Sequence, residues 1–191
     1  MDVIAGAGPL PEHLRGAVIA IGNFDGMHRG HQQLLALARD LAKAEARPWG
    51  VVTFEPHPRT FFSPAEPVFR ITPPALKARL AAALGADFLV SIPFDTTLAM
   101  LAADDFVRQH LVQRLGAAHV VTGYDFHFGK GRKGSPETLA ANGRTHGFGV
   151  TIVDQVADEA GGGPLPSPFP PGGPRPRPPP PAAPRPGLPP A

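Results

Sequence analysis

The chain has 191 residues, 42% of them hydrophobic, with 18 Lys and Arg against 16 Asp and Glu and no cysteine. That length suits one domain with a sizeable core plus an appendage, and the missing cysteines exclude a disulfide framework and fit a reducing cytoplasm. No apolar run approaches a membrane span and residues 1–16 carry no signal-peptide pattern, so the sequence reads as cytoplasmic, with no membrane partner.

The isoelectric point near 9.4 does not mark a nucleic-acid binder. After Glu159 the chain holds Arg175, Arg177 and Arg185 and no acid, which leaves 15 basic against 16 acidic side chains in the body. A phosphate backbone needs clustered cations, and a body this balanced has no general attraction for one.

Residues 1–16 show little pattern and read as an approach to the first strand. Ala17-Val18-Ile19-Ala20-Ile21 is a continuous apolar run of the kind that parallel strands bury on both faces. It enters Gly22-Asn23-Phe24-Asp25-Gly26-Met27-His28-Arg29-Gly30-His31, and then residues 32–42, where Leu34, Leu37, Ala38, Leu41 and Ala42 recur at helical spacing. Residues 49–54 form a second strand. Two prolines in Glu55-Pro56-His57-Pro58-Arg59 predict an extended, stiff exit from it. Pro73-Pro74 open a helix that Gly85 ends, and residues 88–92 make the third strand. A short helix over 96–101 precedes a longer one, opened by Asp104-Asp105 and stopped by Gly116. Residues 118–122 are the fourth strand, a polar glycine-rich loop spans 123–134, and Ser135-Pro136-Glu137 opens another helix. Residues 150–153 are the fifth strand. This alternation predicts an α/β fold, an open doubly wound parallel sheet of five strands covered on both faces.

The character changes after residue 160. From Pro164 onward proline takes about half of all positions, and such a segment has too few apolar side chains to offset its ordering entropy. Residues 161–191 are therefore expected to be disordered or locally polyproline II, separate from a domain over 1–160. A GC-rich gene read out of frame yields the same Pro/Arg/Ala/Gly mixture, so the tail reads as frameshifted rather than native sequence.

The chemistry concentrates at the first strand-to-helix turn. It lies at the carboxyl end of a strand, where open α/β sheets bind ligands. Glycines let the backbone turn sharply and approach a ligand. His31 falls in the first helical turn, where unpaired N–H groups and the helix dipole favour an anion, and His28 reaches the same space. Two imidazoles with bare glycine backbone suit the charge of a triphosphate under attack. The motif is neither a Walker A loop nor G-x-G-x-x-G, and zinc is disfavoured without cysteine or a third clustered ligand. The bland alternative makes both histidines ordinary surface residues.

The string G-N-F-D-G-M-H-R-G-H resembles the HxGH signature of the nucleotidyltransferase superfamily. With two later blocks it resembles the bacterial bifunctional riboflavin kinase/FMN adenylyltransferase (FAD synthetase) family. Val52-Thr53-Phe54-Glu55-Pro56-His57-Pro58 is similar to the family's V-x-F-x-P-H-P, and Gly123-Tyr124-Asp125-Phe126-His127-Phe128-Gly129 with Arg132 and Gly134 is similar to its G-x-[ND]-F-x-F-G-x-x-R-x-G. The resemblance covers residues 16–159 and implies a Rossmann-like nucleotidyltransferase fold with ATP and FMN as substrates and Mg²⁺. It implies His28 and His31 as catalytic, and a nucleotide held along Gly22, Asn23, Phe24, Asp25, Gly26 and Gly30, with Lys130 and Arg132 from the later loop. Pro56, His57 and Pro58 would border the flavin, together with Asp125, Phe126 and Phe128. Physically, flat aromatic faces suit a flavin or purine and mobile cations suit phosphate. Phe126 and Phe128 also share one face of an extended segment, which makes one of them a core candidate.

The family block [IV]-S-[SA]-[TS]-x-[IV]-R, expected after the fifth strand, has no match here, and neither has the kinase module. Formation of FAD and pyrophosphate from ATP and FMN is thus the leading expectation. The alternatives are a truncated, catalytically impaired binding domain and a nucleotidyltransferase with another phosphate acceptor.

Overall fold

The computed structural model describes residues 1–6, 8–25, 29–63, 65 and 72–154. The chain divides into units Met1–Val156 and Ala157–Ala191; all described residues belong to the first, and the expected disorder of the tail lies outside them.

The described residues form one parallel sheet of six strands, β1 (Asp2–Ala5), β2 (Val18–Ile21), β3 (Trp49–Glu55), β4 (Phe88–Pro93), β5 (His119–Gly123) and β6 (Gly149–Val153), in the order β1-β4-β3-β2-β5-β6. The fold is therefore the expected parallel α/β arrangement with one strand more than the five expected. The added strand, β1, pairs from Asp2 with Phe88 to Ala5 with Ser91 at the sheet edge. Only Ile4 of its four residues turns toward the core, so it lacks the apolar pattern that announces a buried strand.

The helices are α1 (Arg29–Ala44), α2 (Pro58–Phe62), α3 (Pro74–Ala83), α4 (Thr96–Met100), α5 (Ala103–Phe106) and α6 (Pro136–His146). Alternate residues of the strands face opposite sides. Val18, Ala20, Val51, Leu89 and Val121 pack with Leu34, Leu35, Ala38 and Ala42 of α1 and Ala81 of α3. Ile19, Ile21, Val52, Val90 and Val120 pack on the other side with Phe106, Leu111, Leu115 and Leu139. Both faces of the central strands are thus dry, which is why their sequences are apolar throughout.

Two local expectations are corrected. The exit of β3 is not extended throughout, because α2 begins at Pro58. Proline is tolerated at a first helical turn, and the Arg59 N–H donates to His57 Nδ1 at 3.2 Å to cap it. The helix expected through Leu115 starts as α5 but continues over Val107–Arg114 as π-helix, with the Leu115 N–H donating five residues back to the His110 carbonyl at 3.0 Å. The wider turn keeps Val107, Leu111 and Leu115, spaced by four, on one buried line.

Strand order explains where a ligand fits. From β2 the chain winds outward through β3 to β4, then crosses back to place β5 on the other flank of β2 and β6 beyond it. The direction of winding reverses between β2 and β5. Loops leaving the carboxyl ends of these two strands go opposite ways and open a crevice between them.

Candidate active site

A cleft of about 130 Å³ occupies that reversal point, lined by Gly22, Asn23 and Phe24 after β2, His31 and Leu34 of α1, and Asp125, Phe126, His127 and Arg132 after β5. A pocket enclosing a whole drug-sized ligand spans roughly 300–1,000 Å³, so this space fits a phosphate-sized portion of a longer ligand.

The wall after β2 is held by buried packing and hydrogen bonds. Phe24 has a positive φ of 48° and is 1% exposed. Its ring lies 5.3 Å from that of His31, tilted by 59°, and sets the imidazole at the cleft edge. Asp25 does not line the cleft: its Oδ1 accepts the Thr72 N–H at 2.8 Å and ties the turn to the approach to α3. The Asn23 carbonyl accepts from Thr53 Oγ1 at 3.1 Å, and Thr53 Oγ1 lies 3.3 Å from the buried Lys77 Nζ. Lys77 Nζ also contacts Glu55 Oε1 at 3.1 Å. Asn23 Oδ1 is buried with no hydrogen-bond partner, an acceptor that a ligand donor at the cleft would satisfy.

The wall after β5 is built differently. Phe128 is 6% exposed, packed at 5.4 Å against Phe106 and stacked on Phe126 at 5.5 Å with an interplanar angle of 21°. Of this aromatic pair Phe128 belongs to the core and Phe126 to the cleft. Gly129 has φ of 72°, and a Cβ there would fall 2.7 Å from the Ala103 backbone, so the loop needs glycine for conformation and for space. Beyond it Arg132, at φ of 56°, lines the cleft, while the Lys130 N–H donates to the Leu101 carbonyl at 2.7 Å and its side chain stays exposed outside the lining.

The cleft thus gathers Gly22, Asn23, Phe24, His31, Asp125, Phe126 and Arg132 among the expected site residues. Gly30 lies inside α1. Pro56, His57 and Pro58 stand at the β3–α2 junction, outside the lining. Gly26 and His28 lie outside the described residues. Burial pushes the His57 imidazole below its ordinary pKa; the negative charges of Asp25 and Glu55 oppose that, and Lys77 and Arg59 reinforce it.

Sequence reasoning missed two features. His127 lines the cleft, its Nδ1 3.0 Å from the Asp125 carbonyl oxygen; its alternation with Phe126 and Phe128 was the available signal. The buried Lys77 and Thr53 and the partly buried Glu55 were missed because only the fold brings them to the turn. Among the described residues, no group of three or more His, Asp or Glu is placed to hold a metal, and no helix is long and apolar enough to cross a membrane.

Residues 10–163 match the family described as FAD synthetase. The chain is 43% identical over 146 residues to a bifunctional riboflavin kinase/FMN adenylyltransferase of Pseudomonas fluorescens, covering 76% of this chain and 46% of that one. It is 37% identical over 136 residues to the protein of the same name from Escherichia coli K12, covering 71% and 44%. An FAD synthetase of Listeria monocytogenes is 36% identical over 141 residues, covering 73% and 56%. The chain therefore spans about half the length of these relatives. A solved structure titled as a macrolide-efflux protein from Streptococcus pneumoniae has TM-score 0.70 and 28% identity, covering 83% of this chain and 52% of that one. On the match across residues 10–163, this chain belongs to the FAD synthetase family.

Proposed function

We propose that this chain is an FMN adenylyltransferase, a cytoplasmic nucleotidyltransferase that forms FAD and pyrophosphate from ATP and FMN. The observation that carries the reading is the convergence of His31, Asn23 and Arg132, from three separate segments, on one cleft at the reversal point of the sheet. An imidazole in the first turn of a 16-residue helix, a glycine turn and a facing guanidinium are a phosphate-recognition set. Family membership supplies the acceptor. The domain boundary expected from the sequence, 1–160 with 161–191 as an appendage, belongs to this reading.

A phosphate oxygen of FMN attacks the α-phosphorus of ATP, a new P–O–P bond forms, and the bond to the β-phosphate bridging oxygen breaks with its electron pair leaving on pyrophosphate. The chain's contribution is positioning and charge stabilisation rather than covalent catalysis. His31, with His28 immediately before α1 in sequence, steadies the α- and β-phosphates as charge gathers on the leaving group. Asn23 and the glycine turn hold the nucleotide from one side, and Arg132 meets the phosphates from the other, with Lys130 on the same loop. Phe126 offers an aromatic face for a planar ring, and the His57 junction borders the flavin. Nucleotide-bound Mg²⁺ takes one or two carboxylates besides phosphate oxygens. Asp125 is the cleft carboxylate that would hold it, and the ion would supply charge neutralisation.

The test is to incubate the purified chain with ATP, FMN and Mg²⁺ and follow FAD by chromatography and pyrophosphate by a coupled assay. Stoichiometric formation of both is expected. Binding of both substrates without either product would overturn the enzymatic reading and leave a binding domain.

A further inference from the structure

The Lys77–Thr53–Asn23 chain has a directionality that makes it more than packing. An ammonium has three donors and no acceptor, whereas a hydroxyl has one donor and two acceptor sites. At the 3.3 Å Lys77 Nζ–Thr53 Oγ1 contact the hydroxyl must therefore accept. Its single hydrogen is left for the Asn23 carbonyl, 3.1 Å away. Lys77 is 5% and Thr53 1% exposed, so water does not readily compete for either position. Glu55 Oε1, 3.1 Å from Nζ, holds the ammonium in place.

The receiving end of this chain is the cleft. Asn23 lines it, carries a buried Oδ1 with no partner, and precedes Phe24, whose positive φ sets the ring against His31. A shift of the Asn23 carbonyl therefore moves both the orphan acceptor and the residue that seats the imidazole. We infer that Lys77, acting through the Thr53 hydroxyl, is a positioning residue that sets the Asn23 turn for nucleotide binding. It touches no substrate and acts by fixing the rotor of one hydroxyl. The inference rests on the adenylyltransferase reading for its ligand, but not for its mechanics.

The experiment compares the full chain with Thr53→Val, Thr53→Ser and the double variant Lys77→Met/Glu55→Gln, which removes both charges of the ion pair together. Four quantities are measured: ATP affinity by calorimetry, FMN affinity by fluorescence quenching, amide exchange across residues 22–25, and the melting temperature. Small misplacements far from the chemistry cost up to about 10²-fold. Thr53→Val and the double variant are expected to weaken ATP about tenfold or more and to speed exchange across the turn. FMN affinity should stay within about twofold, and Thr53→Ser, which keeps the hydroxyl, should recover most of the loss. Unchanged turn exchange in Thr53→Val overturns the inference, as does a parallel loss of ATP and FMN affinity that tracks a lower melting temperature. Should the wild-type chain bind no ATP, the adenylyltransferase reading fails while the exchange comparison still decides whether the hydroxyl holds the turn.

Discussion

The two walls of the cleft are built on opposite plans. The turn after β2 is fixed by polar groups from elsewhere in the chain, with Thr72 on Asp25 and Lys77 through Thr53 on Asn23. The loop after β5 is fixed by its own aromatics, Phe126 on Phe128 on Phe106, and by a glycine that no other residue replaces at Gly129. Hydrogen bonds are directional and set an orientation. Apolar burial is non-directional and sets a depth. The first wall presents Asn23 and His31 at fixed angles; the second anchors a base from which the exposed Arg132 reaches into the cleft. The walls should therefore fail differently: damage to the aromatic base of the loop costs folding, and damage to the turn costs binding and rate.

The largest effect expected is on stability, at the loop. Phe128→Ala removes a ring buried among Phe106 and Phe126 and should cost about 3–5 kcal/mol of unfolding free energy, measured by urea denaturation. Phe126→Ala, at the half-buried cleft-facing partner, should cost clearly less and show its main effect in ligand affinity. Equal losses at the two positions would break the division between core and cleft.

Next comes His31→Ala on the other wall. Removing one preorganised contact to developing charge lowers turnover about 10²–10³-fold, and FAD formation should fall by that factor while the melting temperature changes little. Wild-type-like FAD formation would remove the phosphate-binding role from the turn. Arg132→Ala should follow. Hydrogen bonds to charged groups contribute about 1.5–3 kcal/mol, so the KM for ATP should rise roughly 10- to 100-fold. Because the side chain is exposed, stability should be nearly unaffected; alanine keeps the Cβ that makes the positive φ costly, so the backbone strain is the same in both.

The same contrast explains what was legible in the sequence. The loop wall is local: aromatics, glycines and cations lie within twelve residues, so their alternation could be seen without a structure, down to one of Phe126 and Phe128 being core. The turn motif itself was equally visible, as was its place at a strand end. Its supports were not, because Lys77 and Thr53 are 24 residues apart and meet only when α3 packs beside β3. A lysine in an alanine-rich helix reads as a solvated residue, and nothing in its neighbours signals 5% exposure. The strands escaped notice only where their pattern was weak. β2 to β6 carry enough apolar residues to be found, whereas β1, with one inward residue, is defined by backbone pairing to β4. The π-helical widening at Val107–Arg114 leaves no mark in composition, since its residues fit an α-helix as well.

The smallest effect is in pH, and it too separates the walls. His57 stands behind the turn and His110 behind the loop, stacked 5.3 Å from Phe106. Burial lowers the pKa of both. For His57 the lowering is opposed by Asp25 and Glu55 and aided by Lys77 and Arg59; for His110 it is aided by Arg114 and opposed only by Asp95. An unfolded histidine titrates near ~6.5. As pH falls through that value the unfolded chain takes up a proton that the folded chain resists, so stability is present above ~6.5 and declines as pH falls toward the folded pKa. The melting temperature should therefore be flat above neutrality and drop as the pH falls below ~6.5. His110→Gln should flatten that drop more than His57→Gln, because the largest charge effect at His57, from Asp25, opposes the lowering, whereas at His110 it is Arg114, which adds to it. A steeper flattening from His57→Gln would mean that the negative groups behind the turn are too well screened to matter. The polar wall would then owe its rigidity to its hydrogen bonds alone rather than to its charges.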